Sequence, residues 1–320
     1  MGNCSKGEDR GAADDMDVGF RSGSVQTAGS MTSSIASYSD IDKEHKTIGI
    51  GLDDFQIKKV IGRGSFGKVY MVEKRDTKNI YAMKTLQKDM ILRTNQLVNT
   101  KAERDIMQQL SHPFIVKLHF AFQTPEKLYF VTDFLNGGEL FYHLCNEIRF
   151  KEPRACFYAA EIVLALNHLH SNGIIYRDLK PENVILDSEG HLKVTDFGLS
   201  KFGIEGKENQ TYTFCGTPEY LAPEVILQKG HGQAVDWWSL GMMIYEMISG
   251  YNPFKNNKPR KEKLEEITGK DVDILAGFSK DAGDLLRGLL NRDPEHRFGF
   301  DEIKVHPFFA TIDWEKLANR

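Results

Sequence analysis

Cysteine is scarce in this sequence: its 320 residues include four, Cys4, Cys145, Cys156 and Cys215, in neither a disulfide-framework spacing nor a C-x-x-C pair. That excludes a disulfide-stapled scaffold and points to a reducing, cytoplasmic compartment. No apolar run approaches the roughly 18 residues of a membrane-spanning helix. A basic excess is missing too, the formal net charge being −4, so there is no electrostatic footprint for nucleic acid. The 10 histidines form no H-E-x-x-H pair. His168 and His170 read as surface or packing residues, and no metal site built from protein ligands alone is expected. What remains is an ordinary globular composition, 41% hydrophobic and 27% charged. At roughly 100–200 residues per domain, the length allows two lobes and a tail.

Residues 1–52 are rich in Ser, Gly, Ala, Asp and Thr, with apolar residues scattered without period. Such a segment cannot bury enough surface to offset its ordering entropy, so a disordered tail is expected. It begins Met1-Gly2-Asn3-Cys4-Ser5, in the manner of a myristoylation signal at Gly2 with Cys4 available for palmitate. Two readings stay open there. Lys6 stands where Ser or Thr is preferred, and Glu8, Asp9, Asp14, Asp15 and Asp17 oppose attraction to an anionic surface, which leaves a bland tail as the alternative to a membrane anchor.

Order is expected from Asp53-Asp54-Phe55. Tyr70 to Glu73 and Ile80 to Lys84 flank a polar turn as in an antiparallel hairpin. Leu97 to Leu110 carries apolar residues at helical spacing (Ala102, Ile106, Met107, Leu110), the one helical stretch expected before residue 135. Lys127 to Thr132 is a strand running into Asn136-Gly137-Gly138, a hinge. Beyond it the pattern turns helical, over Ala155 to His170 and over Val235 to Ser249, the latter apolar nearly all round and hence a buried central helix.

Gly62-Arg63-Gly64-Ser65-Phe66-Gly67-Lys68-Val69 fits G-x-G-x-x-G-x-V. Dinucleotide-binding folds use a similar run, but there the glycines open a helix. Here Lys68-Val69-Tyr70-Met71-Val72 continues as strand, and no Walker-type G-K-[ST] ending follows. Glycines let a backbone close over phosphates without a side-chain clash. Tyr81-Ala82-Met83-Lys84 places a lysine in mid-strand, ordinarily a solvent-facing position, and Glu103 offers it a helical partner. Further on, Tyr176-Arg177-Asp178-Leu179-Lys180-Pro181-Glu182-Asn183 and Asp196-Phe197-Gly198 bring the carboxylates of Asp178 and Asp196, the Lys180 ammonium and the Asn183 amide between residues 176 and 198.

Together these runs resemble the AGC group of serine/threonine protein kinases, which includes protein kinase B and the cyclic-nucleotide-dependent kinases, over residues 54–318. Its markers are Tyr176 in place of the usual His, Thr213-Phe214-Cys215-Gly216-Thr217-Pro218-Glu219-Tyr220, Ala222-Pro223-Glu224, Asp236-Trp237-Trp238-Ser239-Leu240-Gly241 and His306-Pro307-Phe308-Phe309. The resemblance implies an α+β bilobal fold. Residues 53–135 would form a small antiparallel β-rich lobe with one key helix, and residues 136–310 a larger α-helical lobe. Residues 311–320 would start a C-terminal tail.

The resemblance also implies roles for single residues. Asp178 would accept the substrate hydroxyl proton, and Lys180 would offer charge to the transferring phosphoryl group. Thr217 would help shape that site, while Asn183 and Asp196 would hold Mg2+. Lys84 would grip the α- and β-phosphates of ATP once paired with Glu103. Ile61, Gly62, Gly64, Ser65, Phe66 and Gly67 would cover the nucleotide. Val69, Ala82 and Ile185 would sandwich the adenine, Asp133 and Leu135 would offer it backbone groups, and Thr132 would control a pocket behind it. Glu224 would pair with Arg297.

For substrates, Phe214, Pro218 and Leu221 look like an apolar rim for the residue after the acceptor. Glu139, Glu182 and Glu246 match family positions that contact arginines N-terminal to it, which implies preference for Arg at −3, with −2 or −5 left open. Thr213 stands where the family carries an activating phosphothreonine, placed by an upstream kinase and ordered against Arg177. Two departures stand out. Asn99 replaces the histidine with which many members sense that phosphate. The sequence also ends at Arg320, before the aromatic motif that docks on the small lobe, here around Lys88, Ile91, Leu92, Leu97 and Leu128. A partner in trans, the remainder of a longer chain, or low basal activity would each account for that. The rivals are a kinase-fold scaffold that binds ATP without transfer, opposed by the intact Lys84, Glu103, Asp178, Asn183 and Asp196, and a dinucleotide enzyme.

Overall fold

The computed structural model describes residues 49–64, 66–204 and 210–320. The expected disordered tail, with Gly2 and Cys4, and the glycine-loop residue Ser65 lie outside the described residues. The chain divides after Leu52 into two units, of which the second, Asp53–Arg320, holds the strands and helices of the fold.

Five antiparallel strands open this unit: β1 (Phe55–Gly64), β2 (Gly67–Lys74), β3 (Ile80–Gln87), β4 (Leu118–Gln123) and β5 (Lys127–Asp133), in the order β1-β2-β3-β5-β4. β-Branched and aromatic residues suit these strands. Phe55 stacks on Phe122, which stacks in turn on Tyr129, with centroids 5.8 and 4.8 Å apart. Between β3 and β4 lie two helices, α1 (Lys88–Arg93) and α2 (Leu97–Gln109). The sequence pattern leads one to expect a single helix here. Six residues make under two turns, too few for a 3.6-residue period to register, so α1 was not legible.

The larger lobe starts with the short strand β6 (Gly138–Glu139), followed by α3 (Leu140–Glu147) and α4 (Glu152–Ser171). Strands β7 (Val184–Leu186) and β8 (Leu192–Val194) then pair beside β6. Six helices complete it: α5 (Pro223–Ile226), α6 (Ala234–Ser249), α7 (Arg260–Gly269), α8 (Lys280–Leu289), α9 (Phe300–Lys304) and α10 (Trp314–Asn319). Pro153 in the first turn of α4 needs no amide partner there and pre-sets the helical φ. Helix α6 is buried from Val235 through Ile248, as a run apolar nearly all round predicts, and ends on Gly250 in the left-handed conformation. Gly241 lets α6 approach α8 closely: a Cβ there would sit 2.8–2.9 Å from Leu289 and Leu290 atoms.

Two buried polar contacts fix this lobe. Arg297 donates from Nη1 and Nη2 to Glu224 at 2.6 and 2.9 Å, and from Nη1 to the Ala234 carbonyl, with its guanidinium over the Trp238 ring. Glu161, in the interior of α4, accepts from the Leu192 amide at 2.7 Å and bonds the His191 ring. Helix α10 continues the lobe; Trp314 lies 5.4 Å from the Phe309 ring, and Arg320 pairs with Asp187 and Glu189.

Candidate active site

The glycine run forms the β1–β2 turn, with Gly64 opposite Gly67. At Gly67 a Cβ would lie 1.8 Å from the Thr85 carbonyl oxygen, so only glycine fits. Gly62, Phe66 and Val69 are half-buried, while Ile61 and Gly64 are exposed. Ala82 pairs with Thr132 across β3 and β5. Ile185 is half-buried between two buried neighbours on β7, and Leu135 is half-buried just past β5. The Asp133 amide donates to the Lys117 carbonyl, and the Asp133 carbonyl accepts from the Thr132 hydroxyl at 3.4 Å, which leaves that carbonyl a second lone pair to offer. Burial opposes ionisation of the Asp133 side chain, yet bonds from His119 at 2.7 Å, Lys193 at 3.1 Å and the Lys117 amide hold its carboxyl down at about 2.

Beneath the glycine turn, β3 presents Lys84 to α2. Lys84 Nζ lies 2.6 Å from Glu103 Oε1 and 3.3 Å from Asp196 Oδ1. Burial disfavours the ammonium, but the Glu103 and Asp196 charges outweigh it and raise the lysine pKa above its usual value. In return Lys84 lowers the Asp196 carboxyl, against burial. Asp196 itself sits at φ 55°, a sparsely populated conformation for a non-glycine residue.

Across the cleft, Asp178 gathers three donors. Lys180 Nζ lies 2.9 Å from Asp178 Oδ2 and 3.0 Å from Thr217 Oγ1, and Thr217 Oγ1 lies 3.3 Å from Asp178 Oδ1. Asn183 Nδ2 donates 2.8 Å bonds to both the backbone and side-chain oxygens of Asp178. With its nitrogen so committed, Asn183 has its amide oxygen left to offer. That oxygen and the half-exposed Asp196 carboxylate form a hard-oxygen pair suited to a divalent cation that also takes phosphate oxygens.

One residue outside every expected role holds this loop. Asp236, fully buried at the start of α6, accepts from the Tyr176 amide at 2.9 Å, the Arg177 amide at 2.8 Å and His170 Nε2 at 2.7 Å. A carboxylate in the first turn of a helical run that is otherwise apolar as far as Glu246 was the available signal, since a buried acid requires partners. The bond from His170 makes that residue a buried structural donor. Arg177 is held at φ 69°; its Nε donates to the Leu199 carbonyl, while Nη1 is buried without a partner among the described residues. Tyr176 donates its hydroxyl to the Thr195 carbonyl, next to Asp196, and meets Phe197 edge-on.

Thr213 is exposed, and its hydroxyl lies 3.5 Å from that of buried Thr211, which accepts from Lys201 Nζ at 3.0 Å. Lys201 and Thr211 were not foreseen from sequence. The Asn99 amide nitrogen donates instead to Oε1 of Gln96, the residue that caps α2. On the substrate side, Glu139 is exposed and Glu182 half-buried, with one oxygen enclosed and unpartnered among the described residues. Glu246 differs from an open substrate carboxylate: it is 6% exposed and accepts from the Tyr220 hydroxyl. Leu221 is buried, whereas Phe214 and Pro218 are half-buried, and Arg260 lies over the Phe214 ring.

Comparison with known proteins agrees with this geometry. Residues 55–309 match the protein kinase domain. The chain is 56% identical over 271 residues to "Protein kinase 2" of Dictyostelium discoideum, covering 84% of this chain and 56% of the relative. It is 51% identical over 276 residues to the "RAC family serine/threonine-protein kinase homolog" of the same organism, covering 86% and 62%. With human "Ribosomal protein S6 kinase alpha-3" it shares 52% over 274 residues, 83% of this chain and 37% of the relative. The chain thus belongs to the protein kinase family, within the AGC group of serine/threonine kinases that its sequence resembles. It spans about half the length of the curated relatives it matches first.

Proposed function

We propose that the chain transfers the γ-phosphoryl group of ATP to serine and threonine hydroxyls of proteins that carry arginine N-terminal to the acceptor, with preference at −3. The observation that carries this reading is the Asp178 cluster with Lys180, Thr217 and Asn183, set opposite an already closed Lys84–Glu103 pair. Degenerate folds that merely bind nucleotide have no use for that whole set.

In this mechanism Asp178 aligns the acceptor hydroxyl and takes its proton as the oxygen–phosphorus bond forms and the bond to the bridging β-oxygen breaks. Lys180, shared between Asp178 and Thr217, holds positive charge beside the transferring group. Lys84 orients the nucleotide phosphates, fixed by Glu103 from α2. Asn183 and Asp196 would hold Mg2+, which supplies charge neutralisation to the phosphates. The backbone at Gly67 approaches closely, and half-buried Val69, Ala82 and Ile185 flank the adenine, with Thr132 behind it.

Regulation follows the same surfaces: an upstream kinase phosphorylates Thr213, and a partner segment docks near α1 and α2. The reading places the chain in the cytoplasm, with acylation at Gly2 and Cys4 as its means of membrane association; intact mass of the native protein tests that, an unmodified Gly2 deciding against it. The activity is tested by incubating the purified chain with magnesium-ATP and a peptide array. Transfer favouring Arg at −3 supports the reading, and equal transfer to peptides without arginine removes the specificity.

A further inference from the structure

The carboxylates expected to read arginine are not equivalent. Beside Glu182 and Glu246 stands a carboxylate outside that expectation, Glu219, next to the Tyr220 whose hydroxyl bonds Glu246; burial raises the Glu246 carboxyl, and the Glu182 and Glu219 charges raise it further. Two lysines of the chain already face these carboxylates. Lys263, projecting from α7, is ion-paired with Glu219, the two side chains being 12% and 18% exposed. The Lys255 charge lowers the Glu246 carboxyl in turn, its ammonium 4.9 Å from the Phe141 ring. Asn252 steadies the same turn through a 3.3 Å bond to the Glu219 carbonyl. Glu139, by contrast, stands exposed at the start of the larger lobe.

We propose that Lys263 is a specificity-determining residue: paired with Glu219, it fills the inner acidic subsite from within, so the chain reads one arginine through Glu139 and gains little from a second. The proposal rests on the basophilic reading above. A second substrate arginine would have to displace an ammonium that is already desolvated and hydrogen-bonded, exchanging one ion pair for another. The tethered lysine also competes at the high effective concentration of an intramolecular group. What is left open to the substrate is the exposed Glu139 carboxylate, since Glu182 keeps one oxygen enclosed and Glu246 is buried on the Tyr220 hydroxyl.

The test measures binding of acceptor-to-Ala peptides to the whole chain by fluorescence anisotropy. Peptides with Arg at −3 alone are compared with peptides carrying one more Arg at −2, −5 or −6. The wild-type chain is expected to bind both kinds within about twofold. Lys263→Met, which keeps the aliphatic stem, should favour a two-arginine peptide by roughly tenfold, the worth of one charge-assisted bond. Exposed Lys261→Met on the same helix should leave the ratio unchanged. Adding Glu219→Gln to Lys263→Met should remove the gain, which a merely structural lysine would not do. If the methionine variant does not fold, Lys263→Gln is read in the same way. A tenfold wild-type preference for two arginines, an unchanged ratio in the Lys263 variant, or a gain that survives Glu219→Gln would each overturn the proposal. Binding needs no transfer, so a chain that binds these peptides but phosphorylates none contradicts the catalytic reading alone.

Discussion

Lys84 on β3 and Glu103 on α2 are in contact, 2.6 Å from ammonium to carboxylate, with Asp196 a further 3.3 Å partner of the same ammonium. The contact ties the helix to the sheet, and in the proposed reaction it is what orients the lysine toward the nucleotide phosphates. Glu103 is 5% exposed, so its charge is tolerable only while Lys84 answers it.

Replacing Glu103 by Gln keeps the shape and removes the charge. Transfer should fall by roughly two orders of magnitude, in the range for losing one preorganised electrostatic contact. Steady-state kinetics with a peptide substrate checks this; kcat/KM within about threefold of wild type would separate the pair from phosphate positioning.

The Glu224–Arg297 pair bears on stability instead. Both side chains are at most 5% exposed and joined by two bonds. Arg297→Met strands the carboxylate and should cost about 3–5 kcal/mol, read as a lowered urea midpoint. The double change Arg297→Met with Glu224→Leu should recover part of that loss, because it leaves no buried charge alone.

Acid should weaken the fold in a defined window. Burial, with the Arg177 charge nearby, depresses the His231 pKa to about 4, and burial does the same for His112. Both are therefore neutral in the folded chain, while the unfolded chain protonates near 6.5. Their contribution is fully present above that value and is lost as pH falls toward 4, at up to about 1.4 kcal/mol per pH unit for each group. His231→Gln should make the slope of stability against pH shallower by one proton's worth between 6.5 and 4. An unaltered slope would remove His231 as a source.

Much of this architecture was legible in the residues. The β2–β3 hairpin that bears Lys84, the strand from Lys127 to Thr132 and the buried run within Val235 to Ser249 each carry a local pattern that tertiary contacts do not override. Helix α1 was too short for its period to register. The site was legible where a motif gathers its groups in sequence, as from Asp178 to Asn183. It was not legible where contacts cross long separations between common residue types, as with Asp236 beneath Tyr176 and Arg177 or Lys263 on Glu219, nor where a loop folds back on itself, as with Lys201 on Thr211. Glu246 shows the limit from the other side, since position in sequence gave it a substrate role while burial and the Tyr220 hydroxyl were invisible there.

Phosphorylation of Thr213 would add about −1.5 to −2 charges where Lys201 lies one hydroxyl away, and the family resemblance sets against that phosphate Arg177, whose Nη1 lacks a partner among the described residues. Stoichiometric phosphorylation should therefore raise peptide kinase activity roughly tenfold or more, and Thr213→Ala should prevent the rise. Equal turnover of the phosphorylated and unphosphorylated chains would refute the switch.

The most direct measurement is transfer of labelled γ-phosphate from magnesium-ATP to an Arg-containing serine peptide by the purified chain, beside its Asp178→Asn variant. A drop of about 10²–10⁴-fold in kcat, with nucleotide affinity retained, is the predicted result. Equal transfer by both chains, or none by the wild type even with Thr213 phosphorylated, would contradict it and leave a kinase fold that binds nucleotide without using it.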